Sequence, residues 1–139
     1  MLGIDYGLRR IGTAYSDSKG LVATPCRTVY LPKTGNLEPV FEDLKKILIE
    51  FNIKTILLGL PQAFETNHTE IQNRILSFKI LLEEKFKIDV ITYDESYSSK
   101  QAQNMLLSFG QHVKKTKSII DNYACATFLQ EFLNSQNEK

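Results

Sequence analysis

Ten residues near the start of the chain, Gly3-Ile4-Asp5-Tyr6-Gly7-Leu8-Arg9-Arg10-Ile11-Gly12, restrict the fold more than any other stretch. The apolar run over residues 1–4 is too short for anything but a strand. Asp5 stands at its end. Gly7 and Gly12 bracket a tight turn, and a second strand follows over residues 11–16. Such a hairpin sets one acid at a strand end, where glycines let a ligand come close to the backbone. Burying that acid is costly unless a cation meets it. A metal ion or a lysine would serve; an inert acid capping a turn is the alternative.

Asp17-Ser18-Lys19-Gly20 reads as a turn. A third strand follows over residues 21–24 and 26–30, interrupted by Pro25, which lacks a ladder donor and so belongs at a sheet edge or before the strand proper. Three strands joined by short turns predict an antiparallel meander. Over residues 37–51, Val40, Leu44, Ile47, Leu48 and Phe51 recur at helical spacing behind Asn36 as N-cap. Residues 53–60 are apolar on both faces, as a central parallel strand covered by helices requires. After a polar loop over 62–68, Thr69-Glu70-Ile71-Gln72 fits a capping box, and Ile71, Ile75, Phe78 and Leu82 form a helical stripe. A strand over 88–93 is closed by Asp94-Glu95. A second capping box at 98–101 opens a helix with Ala102, Met105, Leu106 and Phe109 on its apolar face. Residues 110–117 read as a break, and the last helix runs over about 118–133. The expected fold is α/β in a single domain over residues 1–139. It has a five-stranded mixed sheet, a three-stranded meander followed by alternating helix and strand, with helices on both faces.

Composition narrows the function classes. A formal net charge of +1 gives no global basic signature for nucleic acid, although a local basic patch remains compatible with it. Cys26 and Cys125 have no metal-ligand spacing, and His68 and His112 do not supply it, which argues against structural zinc. No apolar run approaches a membrane span, and the first strand begins at Met1 without a signal-peptide pattern. The expectation is a cytoplasmic protein with reduced thiols and no membrane partner. The oligomeric state is not legible, since the predicted core uses every apolar stripe.

Right-handed crossovers put the strands ending at Asp5, Leu60 and Asp94 side by side and parallel, and ligands of such sheets sit beyond those strand ends. Asp5 and Glu95 therefore converge on one edge, with Asp94 as a competitor for Glu95, and Asp121 joins them from the last helix. Three carboxylates around one cleft repel one another unless a cation is present. Mg²⁺ and Mn²⁺ favour such oxygen ligands, and two such ions can clamp the attacking and leaving oxygens of a phosphodiester. For Asp121 the competing reading is a helix cap, because Ser118-Ile119-Ile120-Asp121 is itself a capping-box pattern. Arg9, Arg10, Lys114, Lys115 and Lys117 flank the same edge and suit contacts to a phosphate backbone; a solvated basic loop is the alternative. Tyr6 can stack on a base or pack on the sheet. Ser98 and Ser99 read as caps, and Cys125 as core.

These segments resemble the YqgF (RuvX) family, bacterial proteins of RNase H-like fold related to RuvC-type Holliday-junction resolvases and described as pre-16S rRNA nucleases. The resemblance is carried by G-I-D-Y-G-L-R-R-I-G at 3–12, A-Y-S-D at 14–17, A-T-P at 23–25, G-L-P at 59–61, D-E-S-Y-S-S at 94–99 and I-D-N-Y-A-C-A at 120–126. It implies a phosphodiester hydrolase with Asp5, Glu95 and Asp121 as catalytic metal ligands. A two-metal mechanism using Mg²⁺ or Mn²⁺ would act on precursor rRNA or branched DNA. Two departures stand out. Ser96 occupies a position that is usually Arg in the family, and Glu65-Thr66-Asn67-His68 replaces its usual Asp-Gly. Loss of that Arg removes a fixed cation, which motivates a second reading: a nucleic-acid-binding factor with little or no hydrolysis. A third, an actin- or sugar-kinase-type ATPase, needs two such domains, and this chain has room for one.

Overall fold

The computed structural model describes residues 1–60, 68–94 and 113–137. Strands β1 (Leu2–Tyr6), β2 (Arg10–Ser16), β3 (Ala23–Pro25) and β4 (Val29–Tyr30) precede helix α1 (Glu38–Glu50). They are followed by β5 (Thr55–Leu60), helix α2 (His68–Phe86), β6 (Asp89–Asp94) and a long helix, α3 (Val113–Asn137). The sheet runs β3-β2-β1-β5-β6, with β4 also on β2. β1 pairs antiparallel with β2 and parallel with β5, and β5 pairs parallel with β6. The expected parallel trio and helices on both faces are present.

The sheet has six strands where the sequence predicts five. The third strand divides into β3 and β4, and both pair with β2. Pro25 belongs to β3, at the sheet edge, where its missing donor costs no ladder bond. The last helix also departs from expectation. Residues 113–117 are helical rather than a break, so Ser118 does not open it. The helix expected after Ser98 lies outside the described residues.

Alternation along the strands sorts the core into two layers. Leu2, Ile4, Ile11, Ile56, Leu58 and Val90 are buried on one face against α1 (Val40, Phe41, Leu44, Ile47) and α2 (Ile75, Phe78, Leu82). Ala14 and Leu57 meet α3 on the other, through Cys125, Phe128, Leu129 and Leu133. β5 thus contributes to both layers, as its unbroken apolar run requires. Tyr6 packs on Phe78, ring centroids 4.9 Å apart, so the sheet-packing reading of Tyr6 holds. Cys125 is fully buried, in keeping with its reading as core. At α1, Asn36 Oδ1 accepts the Glu38 N–H at 3.2 Å, one residue ahead of the Leu37 cap position. No helix among the described residues is long and apolar enough to cross a membrane.

The turn after β2 is closed by Asp17, whose Oδ1 accepts the Leu21 and Val22 N–H groups at 2.7 and 3.1 Å. The Val22 and Leu21 amides hold its carboxyl below the ordinary carboxylate range. A depressed pKa in the folded state means that the stabilisation is complete above the unfolded value and is lost as pH falls through the folded one. Asp17→Ala should therefore unfold at lower urea concentration than wild type at neutral pH. The two midpoints should converge as pH drops through the acid range; a gap independent of pH would contradict this.

Candidate functional site

Three strands deliver their carboxyl ends to one edge. Ile4 pairs with Leu58, and Gly59 and Leu60 pair with Tyr93 and Asp94. Asp5 shares the α3 face of β1 with Gly3, because Leu2 and Ile4 point into the other layer. Across the hairpin Asp5 pairs with Gly12. Gly12 is the point where α3 lands: a Cβ there would lie 2.5 Å from the Asp121 carbonyl oxygen and 3.0 Å from the Asp121 Cβ. Real Cβ atoms do not approach backbone that closely, so only glycine lets the helix sit on the strand. Asp121 is thereby brought over the cross-strand partner of Asp5, and the two acids share one face of one sheet edge.

Asp121 lies about two turns inside α3, clear of the orphan amides of its first turn. The capping reading of this acid is therefore overturned. Its carboxylate is instead engaged by Arg10, whose Nε donates to Oδ2 at 2.5 Å; each side chain is 27% exposed. Arg10, Gly12 and Ala14 alternate onto the α3 face of β2, which is why an arginine at the hairpin turn reaches an acid on that helix. Asp121 is thus met by a cation of the protein's own. Arg10, Asp121, Gly7, Leu8 and Arg9 line an open cavity of about 500 Å³.

Residues 1–135 match the family model described as RuvX, Holliday junction resolvase. The chain belongs to the RuvX family. Relatives named "Putative pre-16S rRNA nuclease" include one from Chlamydia felis, 35% identical over 136 residues, covering 96% of this chain and 89% of the relative. Another, from Thermoanaerobacter pseudethanolicus, is 31% identical over 140 residues, covering 100% and 99%. Among solved structures, Thermus thermophilus RuvC in complex with Holliday junction substrate superposes with a TM-score of 0.57 at 17% identity, covering 98% of this chain and 96% of that one. Fowlpox virus resolvase with Holliday junction DNA gives 0.51 at 16% identity, covering 97% of each. At such identities these two establish a shared fold, the RNase H-like resolvase fold.

Within this RuvX-family chain the remaining candidates divide. Glu95 follows directly after β6 in sequence and lies outside the described residues, as does Ser96. Among the described residues no group of three His, Cys, Asp or Glu assembles into a metal site. Arg9 is exposed beside Arg10, and its carbonyl accepts the Leu31 N–H at 2.9 Å. Lys114, Lys115 and Lys117 fall in the first turns of α3 rather than in a loop; their side chains lie outside the described residues.

The sequence reading gave no role to Asn122, yet this residue fixes the site. Its Oδ1 accepts the Thr13 N–H at 3.0 Å, and its Nδ2 donates to Thr28 Oγ1 at 3.0 Å. The gap between β3 and β4 denies the Thr13 amide a ladder partner, and a helix side chain supplies one. Asn122 is a buried polar residue on an otherwise apolar helix face, and these two bonds satisfy its amide. Asn122→Ala orphans the Thr13 amide and should cost about 1–3 kcal/mol of stability, read by urea unfolding. Gly12→Ala should cost a similar ~1–3 kcal/mol by overpacking two backbones. Either variant with wild-type stability would show that α3 is not held here.

Proposed function

We propose that this protein is a metal-dependent endonuclease for structured nucleic acid, acting at the 5′ end of precursor 16S rRNA. The observation that carries it is the seating of Asp121 on Gly12, opposite Asp5, in a chain of the RuvX family. The donor chemistry fits a hard divalent cation: two carboxylates at one sheet edge, with Glu95 next in sequence after β6. Asp5, Glu95 and Asp121 would hold Mg²⁺ or Mn²⁺, and a pair of such ions would supply Lewis-acid stabilisation of the charge that develops in phosphodiester displacement. The chain's own residues do the rest. The hairpin holds Asp5 rigidly at a strand end, and Gly12 and Asn122 fix Asp121. Arg9, Arg10, Lys114, Lys115 and Lys117 provide contacts to the phosphate backbone, positioning it without reading sequence. The setting is cytoplasmic, with precursor rRNA or branched DNA as partner. Ser96, where the resemblance calls for Arg, favours the second reading, a binding factor with little hydrolysis.

A cleavage assay decides between them, using 5′-extended rRNA and four-way junction DNA with Mg²⁺, Mn²⁺ or EDTA. Asp5→Asn should abolish cleavage with little change in shape. Binding without cleavage by wild type would leave the binding factor. Metal occupancy has its own readout. Mn²⁺ at a hundred times Kd should stabilise wild type by about 2.7 kcal/mol, a rise in Tm of roughly 5–15 °C, and Asp5→Asn should gain little. Equal shifts in both proteins would put the metal elsewhere.

A further inference from the structure

The guanidinium of Arg10 is held but not used up. Only Nε is engaged, by Asp121 Oδ2; among the described residues neither Nη makes a hydrogen bond or an ion pair. A guanidinium has five N–H donors in a planar fork, so the Nη donors remain available. The pair faces the open cavity it shares with Gly7, Leu8 and Arg9, on the side of the sheet that carries Asp5. As a purely structural link it would contribute little, since exposed and partly exposed ion pairs stabilise weakly. α3 is already seated there by Gly12 and Asn122.

We propose that Arg10 is a catalytic residue: Asp121 fixes its Nε, and its Nη groups grip the phosphate undergoing cleavage. This deepens the nuclease reading and rests on it. The carboxylate orients the fork before substrate arrives, so little side-chain freedom is lost on binding. In-plane donors aimed at developing phosphate charge strengthen most in the transition state, so the effect belongs in kcat more than in KM.

The test compares wild type, Arg10→Gln, Arg10→Lys and Arg27→Gln. Arg27 is the control, a surface arginine paired with Glu50. Binding to four-way junction DNA is measured across a salt series in EDTA, and cleavage of junction and 5′-extended rRNA with Mg²⁺ or Mn²⁺. Arg10→Gln should flatten the salt slope by about one phosphate contact, roughly 0.9 on a duplex arm. Arg10→Lys should keep the slope, because the charge remains, yet lower kcat on the order of a hundredfold with KM nearly unchanged. Arg27→Gln should match wild type in both. Thermal melts report folding, and if Arg10→Gln fails to fold, the kcat loss in a folded Arg10→Lys carries the test. A wild-type slope in folded Arg10→Gln, or full cleavage by Arg10→Lys, overturns the proposal while leaving the nuclease reading intact. Wild type that binds without cleaving removes the nuclease reading and Arg10's catalytic role with it. Wild type that binds neither nucleic acid removes both.

Discussion

The arrangement at the sheet's carboxyl edge depends on one contact, the seating of α3 directly on the backbone of β2 at Gly12. Helices ordinarily stand off a sheet by the depth of a side-chain layer. Here the strand offers no side chain, and the helix backbone comes down onto it. A close approach of that kind must satisfy the polar groups it covers. Asn122 does so for Thr13, and Arg10 answers the charge of Asp121. One missing methyl group thus lets the helix that carries Asp121 come down onto the strand.

The same helix closes one face of the core. Cys125, Phe128, Leu129 and Leu133 continue the buried side of α3 past Asn122 and cover Leu57 and Ala14. Gly3 plays for this stretch the part Gly12 plays for Asp121: a Cβ there would stand 3.0 Å from Cys125 Sγ. Further along, Gln130 accepts the Ala23 N–H and donates to the Leu21 carbonyl, both at 2.8 Å, tying the edge strand β3 to the helix. Asp121 is therefore positioned by packing along the described length of α3.

Charge and topology combine at this edge. Parallel strand ends gather acids because they emerge together, and an α/β sheet leaves a crevice beyond them. Gathered acids oppose folding unless cations offset them. Arg10 is a built-in cation on one acid only, so a pairing that stabilises the protein also leaves donors facing the cavity. The RuvX family relation and the resolvase fold give this crevice its chemical context, and the local geometry gives it roles for particular residues.

The sequence by itself determined the layered α/β fold. Alternation in β1, the doubly apolar run of β5 and the helical stripes of α1 and α2 are local patterns, each fixed by which side chains must leave water. It also determined which acid closes β1, since the hairpin around Asp5 is specified by neighbours within ten residues. Only the tertiary structure decided what Asp121 is. Its local context, Ser118 three residues before it, describes a cap, while its place within α3 and its contact with Gly12 are set by residues more than a hundred positions away. The same holds for Arg10, which looks like a solvated turn residue until the helix arrives, and for Asn122, whose partners are an amide and a hydroxyl exposed by the split between β3 and β4. Periodicity records burial, which is a property of one segment. The pairing of charges and the filling of a ladder gap belong to two segments at once, and no single stretch of sequence carries them.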